Sequence, residues 1–287
     1  MKSRALKLIL PLVVVLEVFL VWSGIVGLGG AVLVVVSIEA LVLALAAGGL
    51  LLAARRYRQE RSLGLDRWKA LEDALSQVMP RKAARLVLGE PKLFVALLRW
   101  TCRRAWPERE DFCYHKRSML RALLPMTLVV APVELAVLHL LLHILSAWAW
   151  LHLALLALEI YAVFWIFGFY ASLVTLPHRL EEEGLRFRYG AFAEGFVPYA
   201  EIVEASPQEL KPPKPQDGLH HVPSEEALYL AVGGKTTVTL HLQRPRSARG
   251  LFKDSPPFRS LHLVADEPHE LSGALRHLIS EPAAIRD

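Results

Sequence analysis

Apolar residues crowd this chain into four long runs, 8–28, 31–54, 122–145 and 148–176, with charged segments around them. A helix needs about 20 apolar residues to cross the hydrocarbon of a bilayer, and each run is long enough. Two short breaks, at Gly29-Gly30 and Ser146-Ala147, carry no charge and read as hairpin turns. The pattern predicts four transmembrane helices in two hairpins. The first run reads as a retained helix. It is long for a signal peptide, Glu17 interrupts it, and no small-residue cleavage site follows.

Segment 55–121 is polar but patterned. Leu65, Trp68, Leu71, Leu75 and Val78 recur at three- and four-residue spacing and predict an amphipathic helix that Pro80 ends. A second helical run covers 81–88, Gly89-Glu90-Pro91 breaks it, and a third covers 92–104. Such helices either lie in the membrane interface or cap the bundle from below. After Pro177 the period changes to two. Runs 184–190, 195–205, 227–232, 236–242 and 260–265 alternate apolar and polar residues and predict strands. Gly233-Gly234 reads as a hairpin turn. The proline-rich stretch 207–223 reads as a mobile loop. The stretch 266–280 carries Pro268 in its first turn and Leu271, Leu275 and Leu278 in a stripe, which predicts a closing helix. The expected fold is an α-helical membrane bundle of four transmembrane helices plus a C-terminal β-rich domain, a small half-barrel of antiparallel strands plugged by a helix. Its parts are a first hairpin (1–54), a basic helical segment (55–121), a second hairpin (122–176) and the β-rich domain (177–287).

Charge placement orients this arrangement. The whole chain has a net charge of +5, yet segment 55–121 holds 17 Lys and Arg against 8 Asp and Glu. Segment 177–287 holds 13 basic and 16 acidic residues. Basic loops stay inside, so both termini and the central segment are expected in the cytoplasm of a multi-pass inner-membrane protein. The basic segment suits anionic headgroups, at about 1 kcal/mol per nearby Lys or Arg. A basic loop held at a membrane argues against nucleic acid as its partner. The two cysteines, Cys102 and Cys113, form no CxxC pair and predict no disulfide in a reducing compartment.

Particular residues carry a resemblance. They are Phe112-Cys-Tyr-His-Lys-Arg-Ser118, Val133-Glu-Leu-Ala-Val-Leu-His139, Gly184-Leu-Arg-Phe-Arg-Tyr-Gly190, Val197-Pro-Tyr-Ala-Glu-Ile202 and Val264-Ala-Asp-Glu-Pro268. With the order of elements, they resemble bacterial four-helix integral membrane proteins with a C-terminal pleckstrin-homology-like (PH-like) domain, a group of uncharacterised function. The resemblance implies architecture and no reaction. The C-terminal domain is, separately, the expected site of protein partnership or self-association.

The apolar runs also hold the candidate chemistry. Each contains one glutamate, Glu17, Glu39, Glu134 or Glu159, and the last two runs add His139, His143 and His152. At about 1.5 Å per residue, Glu39 lies ~24 Å from Arg55, His139 ~27 Å from Arg121 and Glu159 ~27 Å from Pro177, a shared level. His139 and His143 are one turn apart, and His152 and Glu159 two turns. Glu39, His139, His143, His152 and Glu159 therefore form a candidate metal site in the outer half of the bundle. Imidazole with carboxylate suits zinc or iron, and a haem is a further option. Glu17 and Glu134 make a deeper intramembrane polar pair. Three readings stay open: a metal or haem centre, a proton or ion relay, and hydrogen bonds that fix helix register. Cys113, Tyr114 and His115 stand at the mouth of the third run. They read as an interfacial anchor or, for Cys113 beside His115, as a nucleophile. No P-loop or Ser-His-Asp order is present, and the reading leans to a non-enzymatic membrane scaffold or regulator.

Overall fold

The structure, a computed structural model, describes residues 48–49, 51–62, 66–102, 111–145, 148–213 and 216–280. The first two expected spans, with Glu17 and Glu39, lie almost wholly outside the described residues. The chain divides into two compact units, residues 1–84 and 85–287.

In the first unit, residues 51–62 are helical, and Arg56 pairs with Glu60 at 2.7 Å one turn on. Helix α1 (Arg67–Leu75) follows. Asp66 caps it by accepting a hydrogen bond from the Trp68 N–H, which satisfies one of the donors a helix start leaves open.

Helix α2 (Arg81–Thr101) runs unbroken through Gly89-Glu90-Pro91, where the sequence predicts a break. Pro91 removes one backbone bond. It lies on the exposed face, however, while Leu93 and Ala96 on the opposite face are buried. Packing on one face thus overrides the local propensity for a break.

Among the described residues, two helices are long and apolar enough to cross a membrane: α3 (Leu120–Ile144) and α4 (Ala149–Thr175). Only 6% and 11% of their apolar windows are buried within the protein. Their surfaces therefore face something other than the described chain, unlike the core helices of a soluble domain. The last two turns of α4 differ: Gly168, Tyr170, Ala171, Ser172, Leu173 and Thr175 are buried.

Among the described residues, the β region forms two five-stranded sheets. The first has the order β1-β2-β3-β4-β9, with β1 at Asp111–Phe112, β2 at His178–Leu180, β3 at Gly184–Tyr189, β4 at Ala193–Pro198 and β9 at Arg249–Gly250. The second has the order β5-β8-β10-β7-β6, with β5 at Ile202–Leu210, β6 at Gly218–Val222, β7 at Ala227–Ala231, β8 at Thr236–Arg246 and β10 at Phe258–Leu263. Inward residues of both sheets, including Leu185, Phe187, Val197, Leu228, Leu240 and Leu261, make one core. Helix α5 (Pro268–Ser280) closes it with Leu271 and Leu275, both fully buried. Each such leucine contributes about 1.5–3 kcal/mol.

Several expectations change here. The stretch 207–223 is not a simple mobile loop, because β5 continues to Leu210 and β6 begins at Gly218. Pro207 fits because β5 is an edge strand. The predicted strand 195–205 is broken by a short 3-10 turn at Tyr199–Glu201. Gly233-Gly234 does form a turn, closed by the Val232–Lys235 bridge. The strands then part, and β10 inserts between them, antiparallel to β8 but parallel to β7. The β region is thus not wholly antiparallel.

The most consequential pairing is β1 with β2, antiparallel, Asp111 opposite Arg179 and Phe112 opposite His178. Helices α3 and α4 lie between these strands in sequence. The apolar hairpin is therefore an insertion within a strand pair of the β region. Among the described residues, that region takes in Asp111 and Phe112, which precede the hairpin in sequence.

Candidate functional site

The chain entering α3 and the chain leaving α4 meet in one buried knot. Tyr114 is fully buried and stacks on His178, ring centroids 4.5 Å apart. Its hydroxyl accepts from the Gly190 N–H at 2.8 Å and donates to the Leu176 carbonyl at 3.1 Å. Burial pushes the Tyr114 phenol well above its ordinary range. It is thus a core hydrogen-bonding group of the β region, where the sequence suggested an interfacial anchor. His178 is also wholly buried. Its Nε2–H donates to the Val264 carbonyl at 2.9 Å, and its Nδ1 accepts from the Arg188 N–H at 3.1 Å. Burial lowers its pKa to about 4, so it stays neutral.

Neighbouring groups extend the knot. The Asp266 N–H donates to the Cys113 carbonyl at 2.8 Å, and the Lys116 N–H to Asp266 Oδ2 at 3.3 Å. Arg179 grips Asp111 with two bonds, at 2.7 and 2.9 Å. Lys116 lies 3.7 Å from Glu267, and Arg117 3.8 Å from Glu209. His115 meets Tyr170 edge-on at 6.3 Å. Burial and the nearby Asp266 carboxylate raise the Cys113 thiol, which is the reverse of what a thiolate nucleophile needs. Burial lowers the His115 pKa against the opposing pull of Asp266. Among the described residues, His115 Nδ1 and Asp266 Oδ1 are buried with no hydrogen-bond partner.

The region 85–101 of α2 packs along the lower part of α4. A Cβ added at Gly168 would sit 3.2 Å from Leu93 Cβ, so the helices meet at a residue without a side chain. Phe94 meets Phe164 at 6.3 Å and Trp100 meets Tyr170 edge-on at 5.6 Å. Tyr161 donates to Glu90 at 2.5 Å and accepts from Trp165 Nε1 at 2.9 Å. On another side of α4, Phe192 of the β3–β4 turn stacks on Trp165 and touches Phe169.

Of the expected intramembrane cluster, the structure brings together His139 and His152. Their Nδ1 atoms lie 3.0 Å apart and their ring centroids 5.0 Å apart. Among the described residues, His139 Nε2 is buried without a hydrogen-bond partner. His143 is exposed, although it shares the sequence face of His139, and Glu134 is exposed. Glu159 is half-buried, and Glu39 and Glu17 lie outside the described residues. Among the described residues, no group of three or more His, Cys, Asp or Glu side chains is placed to hold a metal ion. Cys102 and Cys113 are both free thiols.

Sequence reasoning missed His178, Asp111 and Asp266 as members of the Tyr114 knot. A two-residue strand has no periodicity to read, and the pairing spans more than sixty residues.

No family model, curated protein or solved structure matches the chain.

Proposed function

We propose that this protein is a multi-pass inner-membrane scaffold or regulator whose β region, a PH-like interaction module, faces the cytoplasm and binds a protein or a second copy of itself. The observation that supports this most is the Tyr114 knot between the two ends of the apolar hairpin. A domain built around the bases of α3 and α4 is held rigidly at the bilayer, as a docking platform needs to be. Four of its arginines are engaged in ion pairs, Arg186 with Glu181, Arg246 with Glu201, Arg249 with Glu194 and Arg259 with Glu226. That favours a protein partner over anionic headgroups for this domain. The basic positions of segment 55–121 are then the part that meets anionic lipid.

The test is photo-crosslinking in cells with probes at Val203 and His241, two exposed positions on β5 and β8. A discrete adduct, with one other protein or with a second copy, is expected. Absence of any adduct, together with a stoichiometric metal in the purified protein, would overturn the reading.

A second reading has one observation in its favour. The His139–His152 contact, with a buried nitrogen that has no partner among the described residues, suits zinc, iron or a haem, or proton and ion translocation through the intramembrane glutamates. Metal analysis and a visible spectrum of the purified protein separate it from the first.

A further inference from the structure

We infer that helix α2 and the loop 251–254 form a lipid-facing foot, which seats the β region in the headgroup–acyl boundary of the leaflet where α3 begins and α4 ends. The inference rests on α3 and α4 spanning the bilayer. Residues 149–167 of α4, the part before it becomes buried in protein, measure about 28 Å, close to the roughly 30 Å of hydrocarbon. The contacts of α2 fall at the lower end of that stretch: Phe94 against Phe164 and Leu93 against Gly168. Tyr161 and Trp165, joined to Glu90 by hydrogen bonds, are residue types that gather at membrane interfaces.

At that level α2 buries one face and leaves the other apolar and open. Leu93 and Ala96 are buried, while Leu86, Val87, Phe94 and Leu98 are exposed, Val87 by 53%. The loop beside it adds Phe252, 67% exposed. This loop is built rather than loose. Arg85 donates to the Gly250 carbonyl at 3.1 Å and to Asp254 at 2.6 Å, and Leu251 packs against Gly89. Ala248 and Ser255 close its base with bonds of 2.8 and 2.7 Å. A pinned loop that presents a phenylalanine, with Lys253 next to it, suits insertion beneath headgroups. The patch continues the apolar surface of α4 through Phe94 and Phe164, so lipid that coats α4 reaches it without a break. That continuity is what selects lipid as the occupant.

The test uses the full chain with Cys102 and Cys113 changed to serine, in nanodiscs of phosphatidylethanolamine and phosphatidylglycerol. An environment-sensitive fluorophore is attached at Phe252→Cys or Val87→Cys. Val137→Cys on α3 serves as the span control and Val203→Cys on β5 as the aqueous control. Expected at positions 252 and 87 are a blue shift and loss of most of the emission to nitroxides carried at headgroup level, while position 203 is quenched by aqueous iodide alone. If 252 and 87 behave like 203 while 137 is quenched by lipid nitroxides, the foot is wrong and the span stands. A blue shift that ignores lipid nitroxides and grows with protein density would mean that a second copy covers the patch, which also overturns it. If 137 itself is aqueous, the spanning reading falls and this inference with it.

Discussion

Tyr114 and His178 stack at 4.5 Å, one just ahead of α3 and the other just after α4. The contact joins the two ends of the apolar hairpin inside the β core. Replacing Tyr114 by Phe keeps the ring but leaves the Gly190 N–H buried without its acceptor. The expected loss is about 1–3 kcal/mol. Tyr114→Ala, which also empties the cavity, should cost about 3–5 kcal/mol. Thermal unfolding of the purified protein in detergent, read by near-ultraviolet circular dichroism, checks the order of the two variants.

Two buried histidines set a pH dependence. His178 and His262 both have folded pKa values near 4, against an ordinary 6.5, chiefly because burial disfavours the imidazolium. His262 is further fixed by Thr239 at 2.9 Å and by stacking on Tyr229. Below pH 6.5 the unfolded chain binds protons that the folded chain refuses. Stability is therefore fully present above 6.5 and falls as pH drops towards 4, by about 1.4 kcal/mol per pH unit for each histidine. Denaturant titrations between pH 7.5 and pH 4.5 should show that slope, and His262→Gln should lower it by about 1.4 kcal/mol per pH unit.

Gly190 lies at the β3–β4 turn with φ of 51°. A Cβ there would also collide with the Ser172 hydroxyl of α4. Gly190→Ala should cost more than the roughly 1–2 kcal/mol of the left-handed backbone alone. It should also loosen the Phe192–Trp165 stack, which hydrogen exchange at residues 189–194 would report as faster opening.

His139 and His152 should be energetically coupled. Their contact between helices predicts a coupling of about 0.6 kcal/mol in a double-mutant cycle, the average for such pairs in membranes. His143→Ala, at an exposed position, should leave that coupling unchanged. A coupling that vanishes on treatment with a chelator would transfer the contact to the metal reading.

Much of this arrangement is legible in the residues. The apolar runs 122–145 and 148–176 announce α3 and α4, and alternation places β3, β7 and the start of β8. Leu271, Leu275 and Leu278 mark α5. The failures have physical causes. Pro91 reads as a stop, yet burial of Leu93 and Ala96 carries the helix past it. The Gly233-Gly234 turn reads as a simple hairpin, but no local signal shows that β10 will enter between its arms. Strand β1 is two residues long, so only its partner β2 makes it a strand. Helical spacing groups His139 with His143. Which of them meets His152 depends on how α3 faces α4, and one sequence does not fix that.

If α3 and α4 cross the bilayer, the two ends of the hairpin return to one β region on the same side. Impermeant maleimide labelling in sealed vesicles reads this crossing, with Cys102 and Cys113 replaced by serine. Lys116→Cys and Glu183→Cys flank the hairpin, and Leu145→Cys sits at its tip, all at exposed positions. Labelling of the first two from one side and of Leu145→Cys only from the other is expected. Labelling of all three from the same side would mean that the hairpin does not cross.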